Sequence, residues 1–531
     1  MGYRNGLKKW LAASAIIPLM ILGACSGPGN TNTPAPGGTE SAAPGGEGTN
    51  PLLRIALSAD VADLKPSRDQ GAAAMMLDTL IHRGLLGYNA AGEVVPALAE
   101  SYDVNDANTE FTFHLRSGLK FQDGADLTSE NVKKTLEFLA SPDAGAKIFA
   151  TMSALDSVET PDAQTAVVKL KSANVAFPAY LADTTAAILP DDAFAAEGTS
   201  WSGAGPFILA ETNPGISFKL KKNPDFYDAG NVHFENIDIT IYADGQARLN
   251  AVLAGDADLM DFVPWESFDQ VKSNADFVLD GQSGPWMYLH FNVERSTPLA
   301  NEKVRQAIAL AVTRENVATS AFSGQATVTA GAPIAEGTEF YNAELANGWA
   351  QNVERAKELM AEAGYADGFD AVLLTSSQYA FHQDTALSVQ PDLEAIGIRT
   401  TLEAPDWATR QQMAAEGQYD LAVAGSAGVV NDPSFLVNFV TGPPANNRSY
   451  GFDDPQLNDL LAAGLTAAPG PDRLAAYNAV QERILQVVPF ASLVSRTQAF
   501  AYTNKLTGFA NIPGFLTFES GYTLVGAKLA A

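Results

Sequence analysis

The residue types that catalyse reactions or bind metals are few and scattered in this 531-residue chain. The histidines are His82, His114, His233, His290 and His382. No two of them are spaced as His-x-x-His or His-x-x-x-His, so a multi-histidine zinc site is not indicated. The chain also lacks the Gly-x-Ser-x-Gly nucleophile elbow and the Gly-x-x-x-x-Gly-Lys-[Ser/Thr] phosphate loop. We therefore predict no catalytic residues, no metal site and no cofactor.

Cys25 is the only cysteine, and it ends the string Leu22-Gly23-Ala24-Cys25. A basic segment and the largely apolar residues 10–24 precede it, which is the order of a secretory signal. The apolar run is shorter than the roughly 20 residues that span a membrane. The string resembles the lipobox of bacterial lipoproteins. That resemblance implies cleavage of a signal peptide, 1–25, and a lipid anchor on Cys25 at the outer face of the cytoplasmic membrane, the alternative being an ordinary cleaved signal.

Residues 26–52 are predicted to be a disordered tether. Up to Asn50 they are almost wholly Gly, Pro, Ser, Thr, Ala and Asn, and cannot bury enough apolar surface to fold. A flexible chain of this length reaches roughly 25–30 Å. The folded part is therefore expected to stay near a membrane-embedded partner.

The remaining composition is that of a globular protein, with 46% hydrophobic residues and a mean hydropathy of −0.02. The length after the tether predicts two or three subdomains. We expect the protein to be a monomer. A net charge of −28 argues against nucleic-acid binding, which depends on phosphate neutralisation. A single cysteine excludes an intrachain disulfide, so packing alone must hold the fold.

Apolar periodicity predicts a mixed α/β chain. Predicted strands are 53–57 and 110–115, the second with period-two alternation. Predicted helices are 78–86, 128–139 with an N-cap at Thr128 or Ser129, 304–318, and 353–363 ended by Gly364. These elements must position any binding site.

Eight short strings follow one another along the chain. They are 96–102 (PALAESY), 111–124 (FTFHLRSGLKFQDG), 203–207 (GAGPF), 222–227 (KNPDFY), 248–260 (RLNAVLAGDADLM), 290–314, 354–364 (ERAKELMAEAG) and 432–435 (DPSF). In order and spacing they resemble the signatures of the family 5 solute-binding proteins of ABC importers, the peptide and nickel binding group. The resemblance covers nearly everything from Leu53 to about residue 515.

This resemblance implies a two-lobe, class II-like clamshell of mixed sheets flanked by helices. Lobe I would be 53–285, with its base in 53–87 and 200–285 and an inserted subdomain in 88–199. Lobe II would be 286–500, and 501–531 would return to lobe I. The hinge candidates are 284–289 and 493–501, with the ligand in the cleft between the lobes.

The function implied is that of a lipid-anchored receptor that delivers an oligopeptide or peptide-like solute to an ABC permease, with ATP hydrolysed by a separate subunit. A nickel or other metal chelate, an opine and an oligosaccharide are alternative ligands. A surface hydrolase is the alternative from another class of protein, and a nucleophile beside a base in the cleft would indicate it.

The stretch before Asp432-Pro433 departs from the family pattern for peptides. Typical dipeptide-binding members place an aspartate for the ligand ammonium three residues before this pair, where this chain has Val429. A nearby tryptophan position falls on about Ser426. Some members bind the ligand carboxylate with an arginine near the position of Ser376, but residues 371–398 contain none. Di- and tripeptides with free termini are therefore expected to bind weakly, whereas longer or end-blocked peptides stay open as ligands.

The candidate ligand-binding residues combine aromatic walls with a few polar groups, as small-molecule pockets do. They are Trp286, Tyr288, Trp407, Ser426, Val429, Asn431, Asp432, Arg448 and Tyr450. Lobe packing or an exposed loop is the alternative for the aromatic residues and Arg448. For Asp432 the alternative is a turn, because aspartate before proline commonly forms one.

Overall fold

A computed structural model describes residues 49–531 except 335, 337, 427 and 441–447. The described residues belong to one compact unit, Glu47–Ala531. The signal peptide, Cys25 and most of the tether lie outside the described residues, so the lipid anchor stays a prediction. None of the helices in the described ranges has the length and apolar character needed to cross a membrane.

The strands are numbered β1 to β20 in chain order. Strands β1 to β10 are Thr49–Asn50, Leu52–Leu57, Leu86–Tyr88, Val94–Pro96, Ala99–Val104, Glu110–Leu115, Leu155–Asp162, Thr165–Leu170, Phe207–Asn213 and Ser217–Lys222. Strands β11 to β20 are Asn236–Ile241, Leu259–Met260, Phe277–Phe291, Ala326–Val328, Phe369–Leu374, Ile398–Glu403, Leu421–Ser426, Phe490–Thr503, Leu506–Thr507 and Lys528–Ala530.

The α-helices are numbered in the same way. Helices α1 to α8 are Ala72–Ile81, Ser129–Leu139, Phe149–Met152, Phe177–Tyr180, Asp191–Ala195, Gly245–Leu253, Phe268–Lys272 and Thr297–Ala300. Helices α9 to α16 are Glu302–Ala311, Arg314–Phe322, Val353–Glu362, Ala380–Ala395, Trp407–Ala415, Val437–Val440, Pro455–Thr466 and Pro471–Val487. A 3-10 helix, Gly514–Leu524, is here called the return segment.

One mixed sheet is organised around the long strands β13 and β18, which pair antiparallel along most of their length. Strand β17 pairs with the end of β13, β15 pairs with β17, and β16 pairs with β15. Strands β17, β15 and β16 are here called the β17 wing. Strand β12 pairs with the end of β18, and β2, β11, β10 and β9 follow it in that order across the sheet. These five strands are here called the β12 wing. The chain therefore crosses between the wings only along the β13–β18 pair in this sheet.

The β13–β18 pairing is interrupted at its centre. Ser283 pairs with Thr497 and Trp286 with Ser495, so Gly284 and Pro285 form an irregularity opposite Arg496. Proline has no N–H for the ladder and is tolerated at such a position. The predicted crossings 284–289 and 493–501 contain this irregularity, whereas the predicted domain boundaries stay a prediction.

A separate four-stranded antiparallel sheet, in the order β5-β6-β8-β7, lies within residues 99–170. These residues fall inside the predicted inserted subdomain. At the other end of the chain, β1 pairs with β20, although Thr49–Asn50 belongs to the segment predicted to be a tether.

Three elements predicted from local sequence signals, one strand and two helix ends, are confirmed. Strand β6 spans Glu110–Leu115 with alternate residues buried. Thr128 forms a capping box at α2, and α11 ends just before Gly364, whose φ is +87°.

Two helix predictions need correction. The helix predicted over 78–86 is α1, which ends at Ile81 because His82 adopts an extended backbone. The helix predicted over 304–318 is two helices, α9 and α10, since Val312 and Thr313 are extended. Apolar periodicity continues through both breaks, so it cannot locate them.

Gly203 and Gly205 precede β9 and allow a close approach of two backbones. A Cβ on either residue would lie 2.5 Å from backbone atoms of Ile81 at the end of α1. Neither glycine has a positive φ. Glycine is needed at both positions because there is no room for a side chain.

Replacing Gly205 with alanine is expected to lower the free energy of unfolding by about 2–4 kcal/mol, because backbone atoms must move to admit the methyl group. Gly230→Ala is the matched control, since a Cβ there meets nothing within 4 Å. Urea unfolding followed by circular dichroism measures both variants. Equal stabilities for the two would contradict the close approach.

Candidate functional site

Arg496 lies at the interruption of the β13–β18 pair, where the chain crosses between the wings. On its other side it pairs with Ala326 of β14. Bulged strands re-aim side chains and are frequent beside binding sites. The backbone thus holds Arg496 between the two wings.

Four aromatic rings from three segments of the chain surround the Arg496 guanidinium. Its Cζ lies 5.3 Å from the ring centroid of Phe262, 5.9 Å from Trp265, 5.3 Å from Phe381 and 5.9 Å from Phe518. Phe262 and Trp265 follow β12, Phe381 lies on α12 and Phe518 on the return segment. These four residues are called the ring cage below.

The ring cage also joins the wings to each other. Trp265, from the β12 wing, contacts Phe322 edge-on at 4.9 Å and Phe381 at 5.5 Å between ring centroids. Its Nε1 donates a hydrogen bond to the carbonyl oxygen of Thr497, 2.7 Å away. Trp265 therefore connects the β12 wing, α10, α12 and the strand that carries Arg496.

Arg496 is a buried cation with little compensation, being 7% exposed. Its Nη1 donates to Gln498 Oε1 at 3.1 Å, and its Nε has no hydrogen-bond partner. Within the described residues no carboxylate forms an ion pair with it, and burial lowers its pKa to about 9, so it is charged at neutral pH. Burying an unpaired ion costs several kcal/mol, which an anionic ligand group would offset.

Phe262 has a strained backbone, with a φ of 50°. A bulky residue in this region costs about 1–3 kcal/mol and is typically held by its surroundings. The Arg248 guanidinium supplies that hold, since Nη2 donates to the Phe262 carbonyl at 2.7 Å and Nε to the Asp261 carbonyl at 3.1 Å. The strain is consistent with a functional placement of the Phe262 ring.

A second group of rings continues from Phe381 towards Trp407, one of the predicted ligand-binding residues. The His382 ring lies 4.8 Å from Phe381 and 5.3 Å from Trp407 between centroids. The Arg410 Cζ lies 5.1 Å from the Trp407 ring. Trp407 is half-buried at the start of α13. Through these rings it is connected to the ring cage.

His290 and His382 are buried neutral histidines. Burial, and secondly the nearby positive charge of Arg410, lowers the pKa of each to about 3. The unfolded chain takes up these protons near pH 6.5, whereas the folded protein takes them up only near pH 3. Each histidine therefore lowers stability as pH falls below 6.5, by up to about 1.4 kcal/mol per pH unit.

His382→Gln is expected to make the free energy of unfolding less steeply dependent on pH between about 6 and 3.5. The slope is expected to fall by up to about 1.4 kcal/mol per pH unit, the contribution of one proton. Gln383→Ala, at the next position of α12 and without a titratable group, is the control and is expected to leave the slope unchanged. Denaturant unfolding at several pH values measures the slopes. An identical slope in wild type and His382→Gln would contradict a buried neutral His382.

Trp286, Tyr288 and Ser426 lie in the core of the β17 wing. The Trp286 and Tyr288 rings stack at 4.2 Å, and both contact Phe439 and Phe490. Trp286 Nε1 is buried without a hydrogen-bond partner. The Ser426 hydroxyl accepts from the Gly428 amide at 3.0 Å. These contacts correspond to lobe packing, and contact with a ligand stays a prediction.

Asn431 and Asp432 make structural contacts. Asn431 Nδ2 donates to the Pro513 carbonyl at 3.0 Å, and its Oδ1 accepts from the Phe515 amide at 2.9 Å. Asp432 caps the following 3-10 helix and forms an ion pair with Arg473, with Nη1 and Oδ2 2.7 Å apart. The neighbouring Val429 is buried. The Asp432 carboxylate thus already has a cationic partner.

Arg448 and Tyr450 lie beside the start of the segment after β13. Arg448 Nη2 donates to the Phe452 carbonyl, while its Nε is buried without a partner. Tyr450 forms a bridge with Asn292. Their described contacts do not include the ring cage, so they remain untested candidates.

The sequence interpretation missed Arg496 and the ring cage. One signal was available: Arg496 is the only cation in the otherwise apolar and neutral run 490–503 that forms β18. A cation in a central strand is unusual enough to indicate a site. The four rings could not be found in this way, because their positions in the sequence are far apart.

Comparisons with known proteins give a consistent result. A profile described as bacterial extracellular solute-binding proteins, family 5 Middle, matches residues 93–448. The glutathione-binding protein GsiB of Salmonella typhi is 27% identical over 491 residues, covering 90% of this chain and 94% of that protein.

Solved structures resemble the fold over the same extent. AgaA of A. tumefaciens R10, solved in complex with agropinic acid, is 36% identical with a TM-score of 0.85, covering 90% of this chain and 99% of that one. DppA of Helicobacter pylori, solved with the peptide STSA, is 23% identical with a TM-score of 0.79, covering 90% and 98%.

Proposed function

Because this chain belongs to the bacterial extracellular solute-binding proteins of family 5, we propose that it is the receptor of an ABC importer for an anionic, peptide-like solute. The expected two-lobe α/β architecture is confirmed by the related binding proteins. The receptor captures the solute between the wings and delivers it to the permease. It performs no chemistry itself.

Arg496 is the observation that carries the choice of an anionic solute. Its guanidinium lies between the wings, has a free Nε, and has no carboxylate partner within the described ranges. A ligand carboxylate would form charge-assisted hydrogen bonds with it, and these are among the stronger ones in proteins. Because the ring cage comes from both wings, a ligand held there favours their closed arrangement.

An N-blocked carboxylic acid of the opine type fits better than a peptide with a free amino terminus. Asp432, the nearest sequence candidate for binding an ammonium, is paired with Arg473, and Val429 is apolar. The 36% identity to AgaA, whose bound ligand is named as an acid, supports this choice.

A short peptide is the second candidate. It is favoured by the similarity to GsiB, a glutathione-binding protein, and by the fold shared with DppA in its peptide complex. A peptide also has a carboxylate for Arg496, so its amino terminus is what separates the two candidates.

Titration calorimetry with agropinic acid and with the peptide STSA tests the proposal, together with small-angle scattering. We expect agropinic acid to bind with measurable heat and to reduce the radius of gyration, because it holds the wings together. Absence of binding by both compounds, or binding by neutral sugars alone, would reject an anionic solute. Binding without compaction would reject closure of the wings.

Anchoring through Cys25 and a monomeric state belong to the same proposal. Cys25→Ala is expected to move the protein from the membrane fraction to the soluble fraction, because it removes the site of acylation. Immunoblotting of fractionated cells measures the distribution. A variant that still sediments with membranes would contradict a lipid anchor on this cysteine.

A further inference from the structure

A cavity lies away from the ring cage. Its volume is about 520 Å³, within the range of small-molecule pockets. It is bounded by the β3–β4 hairpin, the turn after β6, the loop before β11 and the return segment. None of its lining residues belongs to the ring cage.

Two arginines line this cavity, each backed by aromatic rings. Arg83 Cζ lies 4.6 Å from the Tyr522 ring centroid and 5.4 Å from Phe226. Arg116 Cζ lies 4.8 Å from the Tyr227 ring. Rings that cover the faces of a guanidinium leave its N–H donors at the edges available.

The protein uses only part of this donor capacity. Arg83 Nη1 donates to the Thr79 carbonyl at 2.6 Å and more weakly to His82, and Arg116 Nε donates to the Ala97 carbonyl at 2.7 Å. In the part of the chain that the structure describes, neither arginine forms an ion pair. Arg83 is 4% exposed, so its charge is largely removed from bulk water.

The other polar groups of the lining leave an excess of positive charge. The Tyr88 and Tyr522 hydroxyls donate to the carbonyls of Ala179 and Ala182. Asp228 is a lining carboxylate, and its Oδ1 accepts from Asn231 Nδ2 at 2.8 Å. The chain has a net charge of −28, yet this cavity is lined by two arginines and one aspartate.

We propose that this cavity is a second binding site, for a small organic carboxylate with a flat apolar body. The arginines bind the carboxylate, and Tyr88, Tyr227 and Tyr522 provide walls for the flat body. Three strings singled out in the sequence, 96–102, 111–124 and 222–227, supply part of the lining. The inference is independent of the solute proposed for the ring cage.

Fluorine NMR with 4-fluorobenzoate tests this site on the full chain. The measurement is made in the Arg496→Gln background, which removes the carboxylate partner at the ring cage. In that background we expect saturable binding that adding Arg116→Gln weakens by more than about tenfold. Arg399→Gln, on an exposed arginine paired with Asp370, is the control and is expected to have no effect. Thermal unfolding checks that each variant is folded.

Tyr227→Leu removes one wall without touching either charge and is expected to weaken 4-fluorobenzoate in the same direction. Inorganic phosphate is expected to bind more weakly than 4-fluorobenzoate, since it has no flat body. The proposal is overturned if the Arg496→Gln background shows no saturable binding, or if adding Arg116→Gln and adding Tyr227→Leu both leave the affinity unchanged. Phosphate that binds as well as the aromatic acid also overturns it.

Discussion

Replacing Arg496 with glutamine is expected to weaken binding of a carboxylate solute by roughly 100- to 4000-fold, because removing one partner of a desolvated charge-assisted pair costs about 3–5 kcal/mol. Glutamine keeps an N–H donor group and most of the side-chain length, but it has no charge and cannot donate two parallel hydrogen bonds to a carboxylate. Calorimetry with agropinic acid measures the change. Arg496→Lys keeps the charge without the bidentate geometry, and we expect an intermediate affinity for it.

Stability separates this effect from misfolding. Arg496→Gln removes an uncompensated buried charge and also its contacts with the ring cage, so these changes oppose each other. We expect the free energy of unfolding without ligand to stay within about 1 kcal/mol of wild type. A folded variant with unchanged affinity would show that the solute carboxylate lies elsewhere.

Blocking the amino terminus of a dipeptide is expected to improve binding by roughly 10- to 100-fold, because the position of the family's ammonium-binding aspartate is Val429 and the Asp432 carboxylate is already paired with Arg473. The comparison uses Ala-Ala, its N-acetylated form, and the N-acetylated form with a C-terminal amide. The last compound lacks the partner for Arg496 and is expected to bind most weakly.

Calorimetry of the three dipeptides gives a direct ranking. Tighter binding of Ala-Ala than of its N-acetylated form would show that another carboxylate receives the ammonium, and would favour the peptide candidate. Equal binding of the acid and the amide would instead exclude Arg496 as the partner of the ligand's carboxyl end.

The sequence predicted the elements that depend on local signals. The capping residue Thr128, the alternation in 110–115 and the terminal Gly364 each determine an element through neighbours in the chain. It failed where an apolar pattern continues through a break, as at Thr313 between α9 and α10. There the backbone direction depends on tertiary packing, which periodicity does not contain.

The site was less accessible to sequence interpretation than the fold. Trp286 and Tyr288 lie on β13 at the predicted crossing. Which face of β13 turns to the core depends on strand pairing that a sequence does not state. Arg496 becomes a binding candidate only when β18 is known to be the strand between the wings. The ring cage then follows from tertiary structure alone.

The irregularity at Gly284 and Pro285 puts the proposed recognition charge and the predicted hinge in one strand pair. A lineage that acquires a new solute cannot easily change the charge without also altering how the receptor closes. The ring positions are free of this constraint, since Phe262, Phe381 and Phe518 lie on segments outside β13 and β18. We therefore expect related receptors to change their specificity by changing the ring residues and to retain the arginine that binds the carboxylate.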